Sequence, residues 1–192
     1  MEKKNSSKSW IAATRGADNV VVTDIISICS SWQSFYGDLF TASAMDFDVQ
    51  CDLLNNISSF IPASEISICE GPLASDEVFA ALQGMARGKT PGSDGLPAEF
   101  FLDVLGTDLV NVLNTSFDSG LLPLSCRSAI IPLSFKKGDR LLHKNWRPIS
   151  LLNVDYKLCA RTLAGRLLEV IHHVVAPDQT CGVPGRFIGE NV

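Results

Sequence analysis

Two short apolar segments flank a charged loop late in the chain, and this arrangement constrains the fold more than any other feature. Residues 128–134 and 146–152 contain several Ile and Leu residues and are bounded by turn-forming residues. The charged loop over 135–145 carries a Gly-Asp pair at its tip. The pattern predicts a β-hairpin with a cationic tip. Pro132 lacks the N–H that a central ladder needs, so the first strand is expected at an edge or a bulge.

Apolar residues recur at helical spacing on both sides of this hairpin. Thr23 and Ser75 are expected as N-caps because their hydroxyls can accept the free N–H groups of a first turn. Pro177 is expected to end the last helix, and residues 1–20 are expected to be polar and irregular. The spacing predicts helices over 24–42, 46–57, 75–88, 97–105, 107–120 and 154–175. The predicted fold class is α+β, with a helical N-terminal half followed by the hairpin and one long helix.

The charged residues are unevenly distributed along the chain. The net charge of −5 taken alone argues against nucleic acid as a partner, since nucleic-acid affinity depends on neutralising phosphates. Residues 18–118, however, hold fifteen acidic and two basic side chains, whereas residues 127–166 hold nine basic and two acidic ones. This segregation predicts a basic surface for a polyanion. For Lys157, Arg161 and Arg166 the alternative is an ordinary solvated helix face.

Cysteine spacing and hydropathy exclude several classes of protein. The six cysteines contain no C-x-x-C pair, and the chain has only three histidines. We therefore expect isolated reduced thiols. We expect no zinc site, no other metal cluster and no disulfide framework. No apolar run approaches the roughly 18 to 20 residues of a membrane span, so a membrane partner is not expected.

The segment RGKTPGSDG, residues 87–95, contains Gly-Lys-Thr but does not match a phosphate-binding P-loop. A P-loop needs four residues between its two glycines and a helix after its lysine, whereas this segment follows a helix and Gly84 and Gly88 are separated by three residues. The glycines and Pro91 instead predict a rigid turn that presents Lys89 and backbone N–H groups to a phosphodiester backbone. The alternative is a helix C-terminus followed by turns, which leaves Lys89 without a role.

The predicted hairpin concentrates three cations. Lys136 and Lys137 lie in its loop and Arg147 lies on its returning strand. Arginine offers a planar pair of donors to phosphate oxygens and lysine a mobile point charge, so this set is suited to gripping a triphosphate. Trp146 is expected to pack beneath the sheet.

Four segments in this order, GKTPGSDGLPAEF, FKKGD, NWRPISLLNVDYK and DQTCGVPGR, resemble the reverse transcriptase of non-LTR (LINE-type) retrotransposons. The upstream segments SFYGDLF and CEGPL resemble the linker between the endonuclease and the polymerase of those elements. The resemblance implies a right-hand polymerase, with residues 1–74 as the linker-like helical region and 75–192 as fingers and the start of the palm. It implies an RNA template, a DNA primer and deoxynucleoside triphosphates as partners, and Mg²⁺ as the cofactor of the intact enzyme.

The same resemblance implies roles for individual residues. Lys136 or Lys137, together with Arg147, match the cations that hold the triphosphate of the incoming nucleotide. Phe135-Lys136 stands where many relatives have Pro-Lys, which leaves the choice between the two lysines open. The positions expected near the template are Lys89, Gly92, Asp94, Gln179, Gly182, Pro184 and Arg186.

The metal-binding carboxylates of such polymerases lie after the segment GVPGR, in an F-x-x-D-like and a Y/F-x-D-D segment. This sequence contains no Asp-Asp pair. No catalytic or metal-binding residue is therefore assigned, and we expect the chain alone not to polymerise. Two alternatives stay open: a non-catalytic nucleic-acid-binding module, and a retroelement relic without a function.

Overall fold

The computed structural model describes residues 10–16, 18–104, 106–180, 182–187 and 189. Contacts divide the chain into two compact units. The first unit consists of residues 1–46 and 131–150, and the second of residues 47–130 and 151–192. The boundary at residues 74 and 75 that the resemblance implies stays a prediction.

In the described ranges, two short strands are followed by six helices, then by four short strands and one long helix. The strands are β1 (Thr14–Arg15), β2 (Val21–Val22), β3 (Ala129–Ile130), β4 (Leu133–Phe135), β5 (Trp146–Pro148) and β6 (Leu151–Leu152). The helices are α1 (Ile25–Phe40), α2 (Phe47–Asn55), α3 (Ile66–Cys69), α4 (Ser75–Gln83), α5 (Ala98–Val104), α6 (Gly106–Ser119) and α7 (Val154–Val174). The long helices and the strands of the hairpin lie where the sequence predicts them, whereas β1, β2 and α3 were not predicted. The fold class α+β and the assignment to a right-hand polymerase stay predictions.

In the first unit, α1 packs against the β4–β5 hairpin. Ile28, Trp32 and Trp146 form its buried core, with the Trp32 and Trp146 ring centroids 6.0 Å apart and nearly perpendicular. The prediction that Trp146 packs beneath the sheet is confirmed, since 4% of it is exposed. Leu39, an apolar residue of the last turn of α1, is exposed.

The N-cap of α1 is Asp24, so the prediction of Thr23 was wrong by one residue. The Asp24 carboxylate accepts a hydrogen bond of 2.9 Å from the Ser27 N–H, three residues into the helix. This hydrogen bond stabilises the ionised carboxylate and lowers the Asp24 pKa.

The strand β1 contradicts the expectation that residues 1–20 are irregular. Thr14 pairs with Val22 and Arg15 with Val21 in an antiparallel ladder. The Arg15 N–H also donates to the Leu141 carbonyl at 2.8 Å, so distant residues of the same unit stabilise this strand. Strands of two residues are too short to show the alternation of apolar and polar residues by which a strand is recognised in a sequence.

In the second unit, α4 packs against α6 and α7, and α5 packs against α4 and α6, around one apolar core. On α7, Leu158 and Val170 are fully buried, while Leu167 and Val174 are exposed. The buried cluster consists of Leu73, Val78, Leu82, Ala98, Phe101, Val110, Leu113, Val154, Leu158 and Cys159.

The helix α4 is shorter than predicted and begins at Ser75 itself. Ala74 occupies the N-cap position, and its N–H donates to a Glu77 carboxylate oxygen at 2.6 Å. The helix ends at Gln83, with Gly84 as its C-cap, and not at Gly88. Gly88 lies beyond the helix with a left-handed φ of 65°, and its N–H donates to the Glu99 carboxylate of α5 at 2.7 Å. The prediction of Ser75 as the cap and Gly88 as the end was therefore wrong.

The cysteines of the described ranges are unpaired: Cys29, Cys51, Cys69, Cys126 and Cys159. Cys181 lies outside the described residues. None of the described helices is long and apolar enough to cross a membrane.

Candidate nucleic-acid interface

The pairing of β4 with β5 determines which cations of the hairpin share a face. Ser134 pairs with Arg147 and Phe135 with Trp146, and the Lys136 N–H continues the ladder by donating to the Asn145 carbonyl at 2.9 Å. Side chains alternate between the two faces of a ladder, so residues two apart along a strand lie on the same face. Lys136 and Arg147 therefore share one face of the hairpin, opposite Phe135 and Trp146.

The opposite face of the hairpin belongs to the core of the first unit. The Phe135 ring lies edge-on to Trp146 at a centroid distance of 5.4 Å. The guanidinium carbon of Arg140 lies 4.6 Å from the Phe135 centroid and 5.0 Å from the Trp146 centroid. Arg140 is thus engaged in cation–π contacts, which attach it to the aromatic side chains.

Hydrogen bonds order the loop that joins the two strands. The Trp146 indole donates to the Arg140 carbonyl at 2.9 Å, and the Asn145 side chain donates to the Asp139 carbonyl at 2.8 Å. Gly138 has a φ of 92°, and a Cβ there would lie 2.9 Å from the Asn145 amide nitrogen. The loop therefore requires glycine at this position for both its backbone conformation and its packing.

The structure separates the two lysines that the sequence left as alternatives. Lys136 continues the ladder on the face of Arg147, whereas Lys137 lies in the bend that follows. Lys136, Lys137 and Arg147 are all exposed, and in the described ranges none of them forms an ion pair. The role of these cations toward a triphosphate stays a prediction, with Lys136 as the lysine that shares the face of Arg147.

The turn 87–95 is attached to the start of α7 in the second unit. Asn153 is buried, and its side-chain oxygen accepts from the Ser93 hydroxyl at 3.3 Å and from the Asp94 N–H at 3.5 Å. The Asn153 amide donates to the Ser125 carbonyl at 3.0 Å. Asn153 thus links three segments of the unit, a role that the sequence analysis missed.

The predicted template residues of this turn have different surroundings. Lys89 is exposed, and Gly92 is buried against Asn153. The Asp94 carboxylate accepts from the Leu96 N–H at 3.0 Å and so stabilises the turn before α5. Asp94 therefore has a structural role that accounts for its position, and its contact with a template stays a prediction.

The segment 182–186 lies after the C-terminus of α7. The Arg186 guanidinium donates to the backbone carbonyls of Val175, Ala176 and Gln179, with the last contact at 2.9 Å. Gly182 has a left-handed φ of 79°, as a turn requires. These contacts attach the turn of Gly182, Pro184 and Arg186 to the end of the helix. Template binding by Gln179, Gly182, Pro184 and Arg186 is untested and stays a prediction.

Arg166 has a structural role, although it was counted in the basic segment. Its guanidinium forms two hydrogen bonds with the Glu77 carboxylate, one of them 2.8 Å from Nε to Oε2, and it also donates to the Pro72 carbonyl at 2.7 Å. Hydrogen bonding to Arg166 lowers the Glu77 pKa. Arg166 therefore joins α7 to the segment before α4.

The residues present do not fit the Mg²⁺ site of a polymerase. Asp139, on the hairpin loop, contacts Arg15 at 3.8 Å and accepts from the Leu141 N–H at 2.9 Å. The sequence also lacks the paired aspartates that hold two metal ions.

One group of potential metal ligands occurs in the described part of the chain. The ligand atoms of Glu65, His172 and His173 all lie within 4.8 Å of one another. A hydrogen bond of 2.9 Å between His173 Nε2 and Glu65 Oε2, and the contact between the two imidazole rings, account for this arrangement without an ion.

Comparison with models of protein families found no match. Over its whole length, however, the chain is related to a transposon-encoded protein. It is 40% identical over 195 aligned residues to the protein named Transposon TX1 uncharacterized 149 kDa protein, from Xenopus laevis. The alignment covers 100% of this chain and 15% of that relative, so the chain spans less than a sixth of the relative's length.

Proposed function

We propose that this chain is part of the RNA-directed DNA polymerase of a non-LTR retrotransposon, comprising its fingers and the start of its palm. The identity with a transposon-encoded protein across all of the chain supports an origin in a transposon. The finer assignment to a reverse transcriptase rests on the four ordered segments of the sequence. In this proposal, the partners of the whole enzyme are an RNA template, a DNA primer and deoxynucleoside triphosphates.

Within that enzyme, the exposed face of the β4–β5 hairpin holds the triphosphate of the incoming nucleotide. The observation that carries this assignment is the ladder register, which puts Lys136 and Arg147 on one face while Phe135 and Trp146 occupy the other. Two cations on one rigid ladder offer a point charge and a planar donor pair to neighbouring phosphates. The aromatic core behind the ladder holds the hairpin in place.

Calorimetric titration of the 192-residue chain with deoxyadenosine triphosphate tests this assignment. Replacing Lys136 or Arg147 with glutamine removes one charge-assisted contact, worth about 1.5–3 kcal/mol, and we expect an affinity loss of roughly tenfold or more. Lys144→Gln is the matched control, because this exposed lysine does not share the ladder positions of Lys136 and Arg147. Lys137→Gln decides between the two lysines.

Equal losses in all four variants would instead indicate nonspecific attraction to positive charge and would contradict a defined triphosphate site. No loss in Lys136→Gln and Arg147→Gln would contradict it as well. Far-ultraviolet circular dichroism of each variant establishes that the fold is retained.

The proposal also predicts that the purified 192-residue chain does not extend a primer. Its sequence contains no Asp-Asp pair, and the palm of such polymerases uses paired carboxylates to position the metal ions. An assay with an RNA template, a DNA primer, Mg²⁺ and all four deoxynucleoside triphosphates is expected to give no templated incorporation. Templated incorporation would show that other residues supply the metal site.

A further inference from the structure

The second unit contains a cationic pocket to which the resemblance assigns only one residue. The pocket has a volume of about 310 Å³. Its polar lining comes from Lys89 and Thr90 of the turn 87–95 and from Lys157 and Arg161 of α7, and apolar residues that include Ala98 and Val154 complete it. None of the residues that line this pocket is acidic.

The geometry of α7 and of the turn brings these side chains together. Lys157 and Arg161 are four residues apart on one helix, so they lie on the same helical face. The turn that carries Lys89 is attached to Asn153, the residue immediately before α7, through the side chain of Ser93 and the N–H of Asp94. The buried Asn153 thus determines the position of the turn relative to the first turns of the helix.

Gly84 provides the space next to Arg161. A Cβ at residue 84 would lie 2.7 Å from Arg161 Nη2 and 3.3 Å from its guanidinium carbon. Ordinary Cβ contacts are longer than these distances, so a larger residue at 84 would displace the guanidinium. Gly84 ends α4 with a φ of −77°, a backbone conformation that alanine also adopts.

Among the described residues, the cations of this pocket form no ion pair with a carboxylate. Lys89, Lys157 and Arg161 differ in this respect from Arg166, which lies two turns away from Lys157 on the same helix. Like charges held close together repel one another, and the positive N-terminal end of α7 adds to this repulsion near Lys157. An anion in the pocket would relieve the repulsion.

We propose that this pocket binds a phosphodiester group of a single-stranded nucleic acid, with the apolar residues against the adjoining sugar. The proposal deepens the proposed function, since it identifies a backbone contact of the template strand and adds Lys157 and Arg161 to it. Lys89 and Arg161 are exposed and Lys157 is half-buried, so the pocket opens to solvent and a strand can continue past it. Thr90 adds a hydroxyl that can donate to a phosphate oxygen.

Fluorescence anisotropy with a labelled 20-nucleotide oligouridine, measured on the 192-residue chain over a range of salt concentrations, tests the proposal. Each contact between a protein cation and a phosphate contributes roughly 0.7 to the magnitude of the slope of log affinity against log salt for a single strand. Removing one such contact therefore reduces the slope by roughly 0.7, which corresponds to about a fivefold loss of affinity at 0.1 M salt. We expect this loss for Lys89→Gln, Lys157→Gln and Arg161→Gln. Lys157→Arg is expected to retain the slope.

Arg127→Gln is the matched control, because Arg127 is an exposed cation of the same unit that does not line the pocket. Its affinity and slope are expected to equal those of the unmodified chain. Equal losses for Arg127→Gln and the pocket variants, or no loss for the pocket variants, would overturn the proposal.

Gly84→Ala tests the geometry without removing a charge. We expect weaker oligouridine binding, since the new Cβ displaces the Arg161 guanidinium, and an unchanged affinity would count against a positioned contact. Competition with inorganic phosphate and with tripolyphosphate distinguishes the sources of the anion. Displacement of the strand by millimolar phosphate would assign the pocket to a small anion and overturn the polymer assignment.

The outcomes for the two sites are separable. The hairpin variants Lys136→Gln and Arg147→Gln report on nucleoside triphosphate binding, and the pocket variants report on the single strand. Loss of single-strand binding in the pocket variants with retained triphosphate binding supports the pocket whether or not the hairpin assignment holds.

Discussion

Gly92 lies against the backbone of Asn153, so closely that a Cβ at residue 92 would be 2.6 Å from the Asn153 nitrogen and 2.7 Å from its Cα. Backbone atoms cannot move aside as the end of a flexible side chain can. The contact therefore couples the turn 87–95 to the start of α7 and excludes any side chain at residue 92.

Gly92→Ala is expected to destabilise the chain by roughly 1–3 kcal/mol, because the added methyl group has to push the turn away from Asn153. Gly165→Ala is the matched control, since Gly165 lies in α7 with no atom within 4 Å of its would-be Cβ. It is expected to stabilise the chain by about 0.5–1 kcal/mol through helix propensity. Urea denaturation at pH 7 measures both changes, and equal effects of the two substitutions would contradict the packing argument.

The hairpin was predictable from sequence because its signals are local. Pro132 interrupts the first strand between β3 and β4, as its missing N–H implies, and its carbonyl accepts from the Ile149 N–H at 3.1 Å. The aromatic character of Trp146 also predicted that it packs beneath the sheet, where it is buried. These features depend on residues within one short stretch of chain.

The candidate sites depend on residues far apart in the sequence, which explains what was missed. Asn153 acts on a turn about 60 residues earlier, and no local pattern indicates that contact. The sequence indicates a surface cation at Arg166, because its partner Glu77 lies 89 residues earlier in the chain. The composition gives the number of charged residues, whereas the fold determines which of their charges are neutralised by an ion pair.

The ion pair of Glu77 with Arg166 predicts a loss of stability on acidification. Hydrogen bonding to Arg166 holds the Glu77 pKa below its usual value of 4.5 in the folded chain. The unfolded chain therefore binds a proton more readily than the folded one, so the stabilisation is complete above about pH 4.5 and is lost as the pH falls through the folded pKa.

Glu77→Gln is expected to cost about 1–2 kcal/mol at pH 7, because it leaves the partly buried Arg166 without a counter-charge. The difference in free energy of unfolding between this variant and the unmodified chain is expected to decrease toward pH 3. Chemical denaturation at several pH values measures it, with the exposed Glu169→Gln as the control. A difference that stays constant from pH 7 to pH 3 would show that the lost contact is not ionic.

The reactivity of the thiols is predicted to follow burial. Burial and the nearby Asp155 carboxylate raise the pKa of Cys126 to about 12, and burial, followed by Asp155, also raises that of Cys159. At pH 8 we expect maleimide to modify the exposed Cys29 and to leave these two thiols unmodified until urea unfolds the chain. Mass spectrometry of peptides after brief labelling measures this, and labelling of Cys126 as fast as Cys29 would contradict the packing around α7.

His143 predicts a second pH dependence, closer to neutrality. The His143 ring stacks on Phe35 at a centroid distance of 5.0 Å and lies edge-on to Trp32 at 4.4 Å. Its Nε2 atom lies within hydrogen-bond distance of two hydroxyls, 3.0 Å from that of Ser31 and 3.1 Å from that of Thr14. Burial disfavours the charged imidazolium and lowers the His143 pKa below its usual value of 6.5. The unfolded chain therefore takes up a proton first as the pH falls.

Stability is expected to decrease below about pH 6.5, by at most about 1.4 kcal/mol per pH unit for this one proton, and to level off below the folded pKa. His143→Gln removes the titrating ring, so the variant is expected to be less stable at pH 7.5 but to show a flatter stability profile between pH 7.5 and pH 5. An equally steep profile in His143→Gln would assign the pH dependence to another group, because this variant has no imidazole at residue 143.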